Sequence, residues 1–224
     1  MEKKAILAGA SGAIGSSLLQ QLLSNTSYKE VLVLVRKELD VKNPKLKQIV
    51  LDFDKLDDYA SQITGDVVFC CLGTTKSETP NKDLYRKIDY QYPLDIAWLA
   101  QANGAKSYHL VSAMGANIDS SMFYNRTKGI TEQDLKTVPF ENICIYQPSL
   151  LNGNRSKKRL AEGIVNVIML VVNPFLFGPM RKYRSIKVEN VAKAMVINSL
   201  QDHKGVFTYE SDQIQEISNH KLPI

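Results

Sequence analysis

Tyr124 and Lys128, four residues apart, form a pair that could handle a proton. A phenol serves as an acid near neutrality only if its pKa falls from about 10. A lysine one helical turn further on supplies the charge that lowers it, because residues i and i+4 share a helix face. Ser112 stands 12 residues before the tyrosine, at the end of an apolar stretch, where a hydroxyl can orient a substrate carbonyl. These three suit hydride transfer to or from a carbonyl, with the tyrosine exchanging the proton at oxygen.

Spacing alone does not single out the pair. Ten tyrosines and 21 lysines in 224 positions make roughly one Tyr-x-x-x-Lys by chance, so context must decide. The chain has two; the other is Tyr183 and Lys187. Tyr124 opens a helical pattern after an apolar strand ending in a serine, whereas Tyr183 follows Pro179 in a basic stretch with no such serine.

A hydride needs a carrier, and the first 36 residues read as a place for one. An apolar run, Ala5–Ala8, enters a turn with glycines at Gly9, Gly12 and Gly15. A helical pattern follows, apolar at Ile14, Leu18, Leu19, Leu22 and Leu23, and then an apolar strand, Val31–Val35. Strand, glycine turn, helix and strand in that order make the βαβ unit that holds a dinucleotide pyrophosphate. The helix N-terminus offers free N–H groups and a positive dipole end, and glycine lets the backbone come close. An NAD site carries an acid about 20 residues after the glycines. Here that count reaches Val35 and Arg36, followed by Lys37, with no acid. A guanidinium pairs with a 2′-phosphate, so NADP is favoured over NAD. Asp40 lies too far on for the usual acid.

The remaining elements alternate. Strands are expected at Gln48–Leu51, Asp66–Leu72, Ser107–Val111, Asn142–Tyr146 and Val206–Tyr209. Helices are expected at Lys55–Ile63, in the stretch from Asp83 to Ala102, at Met122–Lys136 and at Val188–Leu200. This predicts an α/β fold, a doubly wound, mostly parallel sheet in one domain over residues 1–224. Residues 152–187 read as a substrate-side insertion, well placed to cover the carboxyl edge of the sheet as a lid.

Composition narrows the classes. A net charge of +5 is too modest to argue for nucleic acid. No stretch reaches the ~18–20 uninterrupted apolar residues of a membrane span. No signal-peptide pattern opens the chain, so a cytoplasmic setting is expected. Cys70, Cys71 and Cys144 have no metal spacing and read as reduced thiols in apolar runs, and His109 reads as structural. No metal is expected.

Taken together, GASGAIG (Gly9–Gly15), Arg36, CCLGTT (Cys70–Thr75), LVSAMGA (Leu110–Ala116) and YNRTK (Tyr124–Lys128) resemble the short-chain dehydrogenase/reductase superfamily. The resemblance is greatest to its atypical, compact branch of Tat-interacting-protein-like oxidoreductases and nucleoside-diphosphate-sugar-epimerase-like proteins, and it covers about residues 3–200. It implies a Rossmann fold and a role for each matching position. Gly9, Ser11, Gly12, Ala13 and Ile14 would line the pyrophosphate, and Arg36 would hold the 2′-phosphate. Asp52 and Phe53 would flank the adenine. Leu72, Gly73 and Thr74 would lie along the adenosine ribose. Lys128 would also hold the nicotinamide ribose. Gln147, Pro148 and Leu150 belong to the loop beside the nicotinamide amide. Ala113 departs from the pattern, since many relatives carry a second serine there.

Two functions follow. The first is an NADP-dependent oxidoreductase acting on an unidentified small molecule, with Ser112, Tyr124 and Lys128 as its catalytic set. The alternative is a non-catalytic NADP(H)-binding redox sensor acting through a protein partner. A homodimer stays open. The basic run Arg155–Arg159 beside apolar Ile164–Val172 could touch a membrane surface, but such runs are usually solvated faces.

Overall fold

A computed structural model of the chain describes residues 2–152 and 176–222. The Arg155–Arg159 run, the Ile164–Val172 stretch and most of the expected insertion lie outside the described residues.

Seven strands form one sheet: β1 (Lys3–Ala8), β2 (Tyr28–Val35), β3 (Leu46–Val50), β4 (Val67–Cys70), β5 (Ser107–Val111), β6 (Asn142–Gln147) and, after a short pair described below, β9 (Gly205–Glu210). Their order is β3-β2-β1-β4-β5-β6-β9, and every pairing is parallel. The order reverses between β1 and β4, the switch point where a doubly wound sheet opens a crevice. β7 (Leu151–Asn152) and β8 (Ile186–Lys187) pair separately, also in parallel.

The inner strands are apolar on both faces because both faces are covered. Side chains alternate along each strand. Ala5, Leu7, Val31 and Val33 face one core with α1 (Ala13–Ser24) and α5 (Val188–Ser199). Ile6, Ala8, Leu32 and Leu34 face the other, with α3 (Tyr92–Ala102). α2 (Lys82–Arg86) runs into α3 through one π-helical turn, Lys87–Gln91. α4 (Phe123–Leu135) follows β5. The segment expected as a helix near residues 55–63 is a 3-10 helix, Phe53–Gln62, interrupted at Lys55, where φ is −128°. The last helix, α6 (Ser211–Asn219), lacks an expectation above, although Glu210 and Gln213 cap its start reciprocally. No described helix is long and apolar enough to cross a membrane.

Cys70, Cys71 and Cys144 are free thiols; Cys71 is only partly buried. His109 on β5 is completely buried, its Nδ1 3.1 Å from the Tyr146 hydroxyl, which also accepts from Asn198 Nδ2 at 3.1 Å. Burial, with help from the charge of Lys3, pulls its pKa down to about 3. The unfolded chain takes up that proton near pH ~6.5 and the folded protein does not. The stability is therefore whole above about pH 6.5 and is lost as the pH falls toward 3. Near pH ~4.5 the loss should reach about 2.5 kcal/mol. Urea unfolding of the wild type and His109→Phe at pH ~6.5 and pH ~4.5 checks it. The variant should lose about 2.5 kcal/mol less on acidification, and equal acid sensitivity would exclude His109 as the cause.

Candidate active site

The glycine turn sits at the sheet's switch point. Gly9 has φ +85°, and a Cβ there would stand 2.5 Å from the Cys71 carbonyl group. A Cβ on Gly15 would stand 2.0 Å from the Gly9 carbonyl oxygen. These two glycines let β1, the start of α1 and the end of β4 meet. Gly12 differs: a Cβ there would meet nothing within 4 Å except the Gly9 oxygen, at 3.3 Å. Beyond it is open space before the first turn of α1, where amides lack partners inside the helix. No side chain caps that helix. This is a cradle suited to a pyrophosphate, lined by Ser11, Gly12, Ala13 and Ile14.

At one end of the crevice, Arg36 is exposed immediately after β2, and Asp52 is exposed after β3. Phe53 stacks obliquely on Tyr92, with ring centroids 5.3 Å apart. The Tyr92 hydroxyl donates to Asp54 Oδ1 at 2.9 Å, and Lys87 Nζ lies 2.8 Å from the same oxygen. Burial and the bond to Asp54 push the Tyr92 pKa up to about 12, while nearby Arg36 opposes them. The structure thus brings Arg36, Asp52 and Phe53 to one place and adds Tyr92. The sequence carried no signal for Tyr92, which reaches Phe53 only through the fold.

At the centre, the loop after β4 carries Leu72, Gly73 and Thr74. The added Cβ of Gly73 would stand 3.5 Å from Lys128 Nζ. Lys128 is 3% exposed and forms an ion pair with Asp89, Nζ to Oδ1 2.8 Å. The other Asp89 oxygen accepts the Thr74 N–H at 2.9 Å. Burial pulls the lysine's pKa down, but the Asp89 carboxylate, and then Tyr124, outweigh it, so the net shift is upward. Tyr124 opens α4 and is 38% exposed. Tyr85 is buried beside it, donating to the Thr74 carbonyl at 3.2 Å and packing edge-on against Phe123.

At the far end, the Ser112 hydroxyl donates to Glu132 Oε1. Glu132 also accepts from Gln147 Nε2 at 2.9 Å. Burial raises the pKa of Glu132 despite these bonds. The Pro148 carbonyl accepts from Met114 N–H at 3.1 Å, tying together the loops after β5 and β6. Leu150 is exposed, and its carbonyl accepts from Ile186. Tyr124, Lys128 and Glu132 are spaced by four residues on α4, so sequence periodicity could have pointed to Glu132. Asp89 is the residue no motif marked.

The competing pair, Tyr183 and Lys187, is split between a 3-10 helix (Gly178–Tyr183) and β8, so the two share no helical face. α4 also depends on Gly129. A Cβ there would stand 2.4 Å from the Asn117 carbonyl carbon, so the loop after β5 lies directly on the helix.

Residues 9–167 match the NAD(P)H-binding family. Protein HTATIP2 of Rattus norvegicus is 35% identical over 164 residues, covering 71% of this chain and 67% of that protein. Protein FMP52, mitochondrial, of Meyerozyma guilliermondii is 31% identical over 205 residues, covering 90% and 87%. Among solved structures, the Bordetella bronchiseptica enzyme WbmH in complex with NAD+ superposes with a TM-score of 0.71 at 13% identity, covering 98% of this chain and 80% of that one. That likeness shows the fold, a Rossmann arrangement.

Proposed function

This chain belongs to the NAD(P)H-binding family, and on that premise we propose that it is an NADP-dependent oxidoreductase acting on a carbonyl or alcohol. The observation that carries the reading is the meeting of Gly73 with Lys128. It joins the nucleotide half of the crevice to the helix bearing Tyr124. The dinucleotide supplies or accepts the hydride. Ser11, Gly12, Ala13, Ile14 and the first turn of α1 hold its pyrophosphate. Arg36 takes the 2′-phosphate, and Asp52, Phe53 and Tyr92 flank the adenine. Leu72–Thr74 lie along the adenosine ribose, and Gln147, Pro148 and Leu150 border the nicotinamide side.

Lys128 holds the nicotinamide ribose, and its charge favours the phenolate of Tyr124, which exchanges the proton at the substrate oxygen. The Ser112 hydroxyl directs its one hydrogen at Glu132, so it presents lone pairs to the crevice. In that state it accepts from a hydroxyl and cannot donate to a carbonyl.

A second reading, an NADP(H)-binding regulator, is favoured by Ala113, which leaves the strand end with one serine, and by the engagement of that serine with Glu132. Both readings require the dinucleotide. Its test is Arg36→Ala. Loss of one charge-assisted phosphate contact should weaken NADPH binding about 10–100-fold and leave NADH unchanged. Fluorescence titration with both cofactors decides it, and unchanged selectivity would remove Arg36 from the site.

A further inference from the structure

We propose that Asp89 is a positioning residue that holds Lys128 and the β4-end loop on one carboxylate, setting both the place and the charge of the lysine. The inference rests on the reading above for what Lys128 does to the cofactor, but not for the clamp itself.

The geometry is specific. Asp89 is 0% exposed and lies in the π-helical turn Lys87–Gln91. A π turn is widened by one residue and is frequent at functional sites. Both carboxylate oxygens are used across elements, one on the ammonium of α4 and one on the Thr74 amide. The backbone carbonyl of the same residue accepts from the Thr131 hydroxyl at 2.9 Å, so α4 is tied to this turn twice. A buried charge persists only when paired, and here each partner satisfies the other.

The groups facing Lys128 come from several elements. Asp89 comes from the π turn, Tyr124 and Glu132 from α4 itself, and Cys70 and Cys71 from β4 and its end. Tyr85, from α2, acts on Asp89 and Tyr124. Asp89 is the ion-pair partner among the described residues. Without its charge, burial prevails and the ammonium sheds its proton at lower pH. Asp89→Asn keeps the shape and can still accept from Thr74, so it removes the charge alone.

The test uses the full chain with 13C-labelled lysine, the Lys128 signal being assigned by its loss in Lys128→Arg. In the wild type that signal should not titrate below the ordinary lysine value of 10.5. In Asp89→Asn it should titrate at least about one unit lower. NADPH affinity of the variant should then fall about tenfold over the first pH unit above that lowered value, while that of the wild type stays flat over the same range. A folded Asp89→Asn whose lysine titrates like the wild type overturns the proposal. If Asp89→Asn does not fold, Asp89→Glu carries the test. It keeps the charge and moves it by one methylene, so NADPH affinity should fall about fivefold with Lys128 still charged. Affinity equal to the wild type overturns the positioning role. A wild type that binds no NADPH sinks the cofactor reading, and the lysine titration still decides the clamp.

Discussion

Replacing Tyr124 with phenylalanine is expected to lower NADPH-dependent carbonyl reduction by about 10²–10⁴-fold, the usual worth of a positioned general acid. The change removes one oxygen from a residue that is 38% exposed at the start of α4, so folding should be little affected. Lys128, Asp89 and Gly73 keep their places, so NADPH affinity should stay within about twofold. Turnover falling while cofactor affinity holds is what an acid acting in the transition state produces. The measurement is NADPH absorbance over a panel of carbonyl compounds, with cofactor binding measured separately. Turnover that survives in Tyr124→Phe would exclude the tyrosine as the acid. A wild type that binds NADPH tightly and reduces nothing in the panel would favour the regulator.

Lys128→Met is expected to destabilise the fold by about 3–5 kcal/mol, because it strands a carboxylate that is wholly buried. The apolar stem of methionine fills most of the space, so a cavity is a small part of the cost. Asp89→Leu should be costly for the mirror-image reason. The double variant should recover most of the loss, since neither charge then remains in the interior. Urea unfolding of the four proteins makes a double-mutant cycle. Additive losses would show that the 2.8 Å contact contributes no coupling. A stabilised double variant that cannot bind NADPH would show a charge pair retained for function at a cost in stability.

What could be read in the sequence was what local chemistry specifies. The glycine turn, α1 and β2 lie within 35 residues, and each is set by neighbours a few positions away. Ser107–Val111 forms β5 with the expected bounds. Phe53–Gln62 became a 3-10 helix because Asp52 caps the Asp54 amide at its start and the stretch is rich in residues that compete with helix hydrogen bonds. α6 was missed although its reciprocal cap, Glu210 with Gln213, is legible.

In the site, the distinction between the two tyrosine–lysine pairs followed from element order. The pairing of Lys128 with Asp89 could not be read, because it joins residues 39 apart through a π turn that no spacing announces. Ser112 was read as facing a substrate carbonyl; that its hydroxyl donates a hydrogen bond to Glu132 depends on how α4 packs against the end of β5.

The short pairing of β7 with β8 has a consequence for how this chain can vary. Leu151 and Asn152 lie beside Ile186 and Lys187, so the chain that joins them closes between two neighbouring points. The entropy of closing such a loop grows only logarithmically, by roughly 0.6 kcal/mol for each doubling of its length. Segments of quite different length and composition can therefore be exchanged between these two strands at little expense to the seven-stranded sheet.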